Sequence, residues 1–372
     1  MEAFLLAVLM LTLTLLVNRT VCQLEIHFYR NSCPLAEAIV HTVSRQLFAA
    51  DPTLPAGLLR LQFHDCWTRG CDGSVLIDST ADNTAEKEAP PNLTLRGFDE
   101  IDTIKAAVEA QCPGIVSCAD ILAMAVREGC NFTGASAYDL LTGRLDGTIS
   151  KLEEVNMPGP SFSIEQALQS FQAKGYTLDD MITLLGGHSM GFAHCGFFLD
   201  RLYNFLGTGE ADPTMDPGTL QFLMSNCPIS LETNTNVSAD PKVNINQNTT
   251  APFLLTNSFY QGLLNKKAVL QLDQELAFNA TTLAMVIDYI AKPDTWRKKF
   301  AKAMIKMTTE EVLPAGEVGE IRLNCRVVNN PSPAAAPVNN PSPPAPPVNN
   351  PSPPSPVAAP VKNPSPAPAP RF

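Results

Sequence analysis

Ten cysteines, at positions 22, 33, 66, 71, 112, 118, 130, 195, 227 and 325, constrain the fold of this chain more than any other feature. No two of them form a CxxC pair, which disfavours a zinc ribbon. Their number suits a disulfide framework, which persists only in an oxidising compartment. The N-terminus points the same way. Residues 3–17, AFLLAVLMLTLTLLV, form an apolar run shorter than the roughly 20 residues an ordinary membrane span needs. A small-residue site, Thr20-Val21-Cys22 before Gln23, follows it. The expectation is a secretory signal over residues 1–22, although Glu2 stands where a basic residue is usual, and no membrane anchor. Cleavage after Cys22 leaves nine cysteines, which suggests four bridges and one spare thiol. Spacing does not reveal which cysteines pair. Sequons at Asn92, Asn131, Asn236, Asn248 and Asn279 agree with secretion.

Packing potential ends near Val328. The last 44 residues, 329–372, hold 17 of the 32 prolines and two charges, Lys362 and Arg371. The unit VNNPSP recurs at 328, 338 and 348, and returns as VKNPSP at 361. Such a segment cannot build a core, and as extended polyproline II it reaches roughly 130 Å at about 3.1 Å per residue. The expected organisation is a folded body over 23–328 and a disordered proline-rich tail over 329–372. A formal charge of −11 gives no electrostatic case for nucleic acid.

The body reads as mainly α-helical. Ile39, Val43 and Leu47 recur at helical spacing, as do Ile101, Ile104 and Val108 before the Cys112-Pro113-Gly114 stop. Ser117-x-x-Asp120, Ser163-x-x-Gln166 and Thr177-x-x-Asp180 have the form of capping boxes, and Gly175 is placed to end the helix that Ser163 opens. No train of alternating strands appears.

Residues 58–74, LLRLQFHDCWTRGCDGS, place chemistry inside an apolar run. Pro55 suits a helix first turn. Arg60 and His64 then stand i and i+4 on one face, with Phe63 beside them. A fixed cation next to an imidazole favours its neutral form, as a general base requires. A solvated Arg–His pair fits the same residues. Asp65, Thr68, Gly70, Asp72 and Ser74 offer carboxylates, hydroxyls and carbonyls at close intervals, a set suited to calcium. A polar turn stapled by Cys66 and Cys71 is the plain alternative. In LLGGHSMG (184–191), two glycines precede His188 and allow a large flat group to approach the backbone. His64 and His188 together permit a haem site, one binding iron and the other working on its open face.

RLQFHDC (60–66), GCDGS (70–74), EKEAPPNLTLRGF (86–98), CPGIVSCADI (112–121), GRLDG (143–147), LLGGHSMGFAHC (184–195), DRLYNF (200–205), LDQEL (272–276) and GEIRLNCRVV (319–328) stand in order. Together they strongly resemble the plant secretory (class III) haem peroxidases across the whole body. The resemblance implies a two-lobed, mainly α-helical fold with haem b between the lobes. It implies the pairings Cys33–Cys112, Cys66–Cys71, Cys118–Cys325 and Cys195–Cys227, with Cys130 left over. His64 is implied as distal base, Arg60 as distal cation, Phe63 as a lid on the haem edge, and Asn92 as the acceptor that orients His64. His188 is implied as iron ligand, with Asp273 as its carboxylate partner. Pro158, in NMPGP (156–160), resembles the residue beside the aromatic-donor site. Asp65, Thr68, Gly70, Asp72 and Ser74 match the distal calcium loop, with Glu86 tied to it through water. The implied activity is reduction of hydrogen peroxide and one-electron oxidation of small phenols by a secreted monomer. The tail lies outside this resemblance; its Ser-Pro, Ala-Pro and Ser-Pro-Pro runs resemble the hydroxyproline-glycan modules of wall proteins, and contacts with wall polymers are expected of it.

The chain also departs from the family pattern. The stretch TGASAYDLLTGRLDG (133–147) lacks the usual Gly-Gly-Pro, and Leu145 replaces a second basic residue. A second calcium site is expected to use Ser189 and two aspartates of a later loop. Here that loop reads VNINQNTTAPFLLTNSFY (243–260), placing Asn248 or Asn246 at the first aspartate and Thr256 at the second. Calcium affinity depends strongly on ligand charge, so this site is expected to be empty or weak. A glycan on Asn92 and a pocket role for Asn92 exclude one another, and the pocket role is expected. A non-catalytic wall scaffold carrying the tail is the alternative function. It has no need of Arg60, His64, Asn92, His188 and Asp273 together.

Overall fold

The computed structural model describes residues 24–229, 240–247, 251–310, 312–313 and 318–329. The expected signal, the tail beyond Asn329, and Asn236 and Asn248 lie outside the described residues. Twelve α-helices carry the described body. The first four, α1 (Ala36–Ala50), α2 (Leu54–Arg69), α3 (Phe98–Glu109) and α4 (Cys118–Phe132), pack on one another. They are followed by α5 (Ile164–Ala173), α6 (Leu178–Leu185), α7 (Leu199–Tyr203), α8 (Pro217–Asn226), α9 (Ser258–Leu264), α10 (Gln271–Glu275), α11 (Ala280–Ala291) and α12 (Pro293–Glu310). Helices α5, α6 and α9–α12 form a second packed group. Two short antiparallel ribbons complete the described residues: β1 (Glu25–Ile26) with β2 (Leu141–Thr142), and β3 (Phe192–His194) with β4 (Lys242–Asn244). The expected mainly α architecture holds.

Local sequence explains most of these elements, with informative exceptions. Ile101, Ile104 and Val108 are fully buried, as the spacing in α3 requires. In α1 the period is right but the stripe is displaced by one residue. Ala36, Val40, Ser44 and Phe48 face the core, while Ile39, Val43 and Leu47 flank it half-buried. A small serine in the inward row hides that face from a count of apolar residues. Ser163–Gln166 and Thr177–Asp180 close as full capping boxes. Ser117 accepts from Asp120 N–H, but the Asp120 carboxylate accepts from the Tyr29 hydroxyl at 2.7 Å and from Arg144 at 2.7 Å. The Ser117 N–H instead donates to Tyr29 Oη at 3.4 Å. Ser117 is therefore a single cap, with a buried ion pair taking the place of the box.

All four expected disulfides are present, and Cys130 is the free, buried thiol. Cys118–Cys325 joins the start of α4 to the C-terminal segment, and Cys195–Cys227 lies in a second, smaller core between α7 and α8. Burial pushes the Cys130 thiol up to about 12. The GRLDG stretch has a mechanical role. Asp146 accepts from the N–H groups of Cys118, Ala119 and Arg322, and Arg322 in turn donates to the carbonyls of Gly73 and Cys325. A Cβ on Gly147 would lie 2.1 Å from Asp72 Oδ2, so only glycine lets this segment pass the loop after α2.

Candidate active site

One cavity of about 270 Å³ is lined both by α2 and by the turn after α6. From α2 come Arg60, Phe63 and His64, placed on one face by their i, i+3 and i+4 spacing. His64 is buried, and its Nδ1 lies 2.6 Å from Asn92 Oδ1. The Asn92 amide nitrogen donates to the Glu86 carbonyl at 2.7 Å, which turns the amide oxygen toward the imidazole. Nδ1 therefore carries the proton and Nε2 keeps a bare lone pair. Burial first, and Arg60 second, hold the His64 pKa down to about 3. The neutral form was expected, but the main cause is desolvation rather than Arg60.

Arg60 donates to the Pro91 carbonyl at 2.7 Å and to Thr94 Oγ1 at 3.0 Å, and burial lowers its pKa to about 10. It remains a cation at any ordinary pH. The Phe63 ring packs against Trp67 (centroids 4.9 Å apart) and Phe171 (6.4 Å). Pro158 lines the same cavity, and its loop is fixed by the N–H of Leu272 donating to the Pro160 carbonyl at 3.0 Å.

On the other wall, His188 Nδ1 donates to the buried Asp273 carboxylate, 2.9 Å from Oδ2 and 3.0 Å from Oδ1. Its Nε2 makes no hydrogen bond among the described residues. The neighbouring surface is apolar, with Leu272, Phe300, Met304 and Met307. An imidazole held by a carboxylate in an apolar cavity suits an iron ligand, so these residues fit the expected haem. The two glycines before His188 differ in role. Gly187 lines the cavity, as expected. A Cβ on Gly186 would meet Tyr260 Oη at 2.6 Å and Trp296 Nε1 at 2.7 Å, so this glycine serves core packing instead.

The loop after α2 gathers the expected oxygen-bearing residues. Asp65, Asp72, Ser74 and Glu86 are buried. Asp65 accepts from the N–H groups of Gly73 and Val75, and Asp72 from Ser74 N–H. Thr68 donates its hydroxyl to the His64 carbonyl, and the Gly70 carbonyl accepts from Asp72 N–H. Among the described residues, Asp72 Oδ2, Ser74 Oγ and both carboxylate oxygens of Glu86 have no hydrogen-bond partner. Burial raises Asp72 to about 6 and Glu86 to about 8, and raises Asp65 with help from Asp72 and Glu86. Buried acceptors without donors fit a hard cation. Among the described residues no three His, Cys, Asp or Glu side chains converge in metal-ligating geometry, so a cation here needs carbonyl and hydroxyl oxygens as well.

The second expected calcium site looks different. Ser189 Oγ accepts from Thr256 N–H at 3.1 Å, and Asn246 Nδ2 donates to the Ser189 carbonyl at 3.0 Å and to Ser258 Oγ at 2.9 Å. Asn248 lies outside the described residues, while the structure brings Asn246 to Ser189. Its amide already cross-links these oxygens, and no carboxylate joins them in these contacts.

Asn92 carries its own prediction. It is 2% exposed and both amide heteroatoms are engaged. Glycopeptide mapping of secreted protein should find this sequon unoccupied; full occupancy would remove Asn92 from the pocket. Sequence reasoning missed Pro91 and Thr94 as holders of Arg60, and the Asp146–Gly147–Arg322 brace. It also missed His194 and Lys242, which line the cavity from β3 and β4. The GRLDG spacing was the only available signal for the brace.

Comparison with known proteins agrees with this geometry. A family model described as peroxidase matches residues 40–292. The chain is 46% identical to Peroxidase 5 of Vitis vinifera over 83% of its length and 92% of that protein's. It is 43% identical to Peroxidase 3 of Arabidopsis thaliana (83% and 93%) and 41% identical to Peroxidase 28 of the same plant (82% and 94%).

Proposed function

The chain belongs to the peroxidase family, among the plant class III members, and on that premise we propose that hydrogen peroxide is cleaved in the cavity shared by His64 and His188. The protein is a peroxidase, reducing hydrogen peroxide at the expense of donor molecules. The observation that carries the site assignment is that two imidazoles line one cavity, each with Nδ1 committed to an oxygen acceptor and Nε2 without a hydrogen bond among the described residues. The scaffold alternative gains no support. Purified protein should show a Soret band and oxidise guaiacol with peroxide; a haem-free, inert product would count against the proposal.

His188 would hold the iron of a haem, which would supply the redox chemistry for breaking the peroxide O–O bond and oxidising two phenolic donors. The protein residues manage protons and charge. His64 Nε2 takes the proton from one peroxide oxygen and delivers it to the other, so that water leaves. Asn92 keeps that nitrogen unprotonated between turnovers by holding the proton on Nδ1. Arg60 offsets negative charge on the departing oxygen. Asp273 makes His188 more basic by accepting its N–H. Phe63 and Pro158 shape the apolar approach for small phenols, and each donor returns one electron and one proton.

Asp65, Thr68, Gly70, Asp72 and Ser74, supported by Glu86, would hold one calcium ion. The unpartnered oxygens support that reading, whereas the Ser189–Asn246–Thr256 group is cross-linked by neutral hydrogen bonds. Metal analysis of extensively dialysed enzyme should find one retained calcium per haem; two would contradict this assignment. The disulfides support secretion into an oxidising space, and no helix among the described residues is long and apolar enough to cross a membrane. The proline-rich tail over 329–372 would tether the enzyme to wall polymers. Truncation after Val328 should release the protein from wall material with unchanged specific activity, and full sedimentation of the truncated form would rule the tether out.

A further inference from the structure

The cavity lining carries more positive than negative charge. The whole chain has a formal charge of −11, yet the cavity lining includes Arg60, Arg96 and Lys242 and a single carboxylate, Asp273. Asp273 is taken by His188, and Arg96 is paired with Asp51 at 2.8 Å. Arg60 donates to two uncharged oxygens. Lys242 makes no ion pair among the described residues, and its ammonium lies 4.8 Å from the centre of the Phe192 ring. Lys242 is exposed, so its ammonium stands in solvent where the cavity opens and is available to pair with an occupant that brings negative charge.

The β3–β4 ribbon fixes where that charge stands. Lys242 and His194 are direct partners in its antiparallel register, and both line the cavity. His194 Nδ1 donates to the Asp240 carbonyl at 2.9 Å, while the Asp240 carboxylate accepts from Gly196 N–H at 2.6 Å. Burial, together with Lys242 and Arg60, holds His194 toward its neutral form against the opposing pull of Asp240. Lys242 and Arg60 line the same cavity. Phe192, under the ammonium, adds an aromatic face to this lip.

We propose that Lys242, beside His194 and above Phe192, is a carboxylate-binding group of this cavity. The ligand class is a carboxylate attached to a flat conjugated system. Two sources share that chemistry: the carboxylate arms of the haem, and a donor such as a hydroxycinnamate. The proposal rests on the peroxidase reading above.

Both sources are tested on haem-replete enzyme, where the Soret band and peroxide turnover of the wild type check the functional reading separately. Wild type, Lys242→Gln and the charge-keeping Lys242→Arg are compared in two measurements. One is the rate of haem transfer to excess apomyoglobin. The other is the dissociation constant of ferulate relative to that of its neutral alcohol, from spectral titration. Lys242→Gln should change one of them by about fivefold or more, the scale of one charge-assisted contact, and Lys242→Arg should restore it. Faster haem transfer assigns the carboxylate to the macrocycle. A lost preference for ferulate assigns it to the donor. Rates and ratios that match wild type in Lys242→Gln overturn the proposal.

Discussion

Replacing His64 with alanine should slow peroxide cleavage at least about a hundredfold, the low end of what a positioned acid–base group contributes, while haem content stays at the wild-type level. The separation of effects follows from the contacts. His64 meets Asn92 through Nδ1, and Asn92 keeps its second anchor on the Glu86 carbonyl when the imidazole is removed. Helix α2 is held by Leu54, Leu58 and Leu61, all buried in the main core, so the fold does not depend on the ring. Arg60 keeps its bonds to Pro91 and Thr94. What disappears is the bare Nε2 in the cavity. Rapid mixing of the haem-replete variant with peroxide reads the step directly, and a wild-type rate would exclude His64 as the base.

His188→Ala should fail differently. The iron loses its protein ligand, so the five-coordinate ferric spectrum of the wild type should be absent and haem should be released readily. The variant also leaves the Asp273 carboxylate, 1% exposed, without its donor. An unsatisfied buried acceptor costs about 1–3 kcal/mol, so a lower melting temperature should accompany the spectral change. Added imidazole separates ligand loss from misfolding, because it can occupy the vacated volume and restore the spectrum. A His188→Ala protein with a wild-type spectrum and no added imidazole would show that another residue holds the iron.

The two histidines also show where sequence reading succeeds and where it stops. Arg60, Phe63 and His64 lie within one helical turn and a half, so spacing alone put them on one face. Asn92 is 28 residues from His64, and Asp273 is 85 residues from His188. No periodicity connects such pairs, and only their place in recognisable motifs pointed to them. Gly186 and Gly187 look equivalent in the chain, but one faces the cavity and the other faces Tyr260 and Trp296. That difference is set by α9 and α12, which come much later in the sequence. The α1 stripe was displaced by one residue because Ser44 lies in the inward row. Gly147 beside Asp72, and Arg322 on the Gly73 carbonyl, are tertiary contacts; the GRLDG spacing marks the stretch but not what it meets. The same limit hid Lys242 and His194, which meet only because β3 and β4 pair across a long excursion.

The central claim is that one cavity uses His188 to hold haem and His64 to move the peroxide proton. Its most direct test is a single-turnover experiment on the purified wild-type protein, mixed with one equivalent of hydrogen peroxide and followed at the Soret band. The account predicts a rapid two-electron oxidation of the haem protein, reversed by a phenol in two successive one-electron steps. A haem-loaded protein whose Soret band is unmoved by peroxide would contradict it.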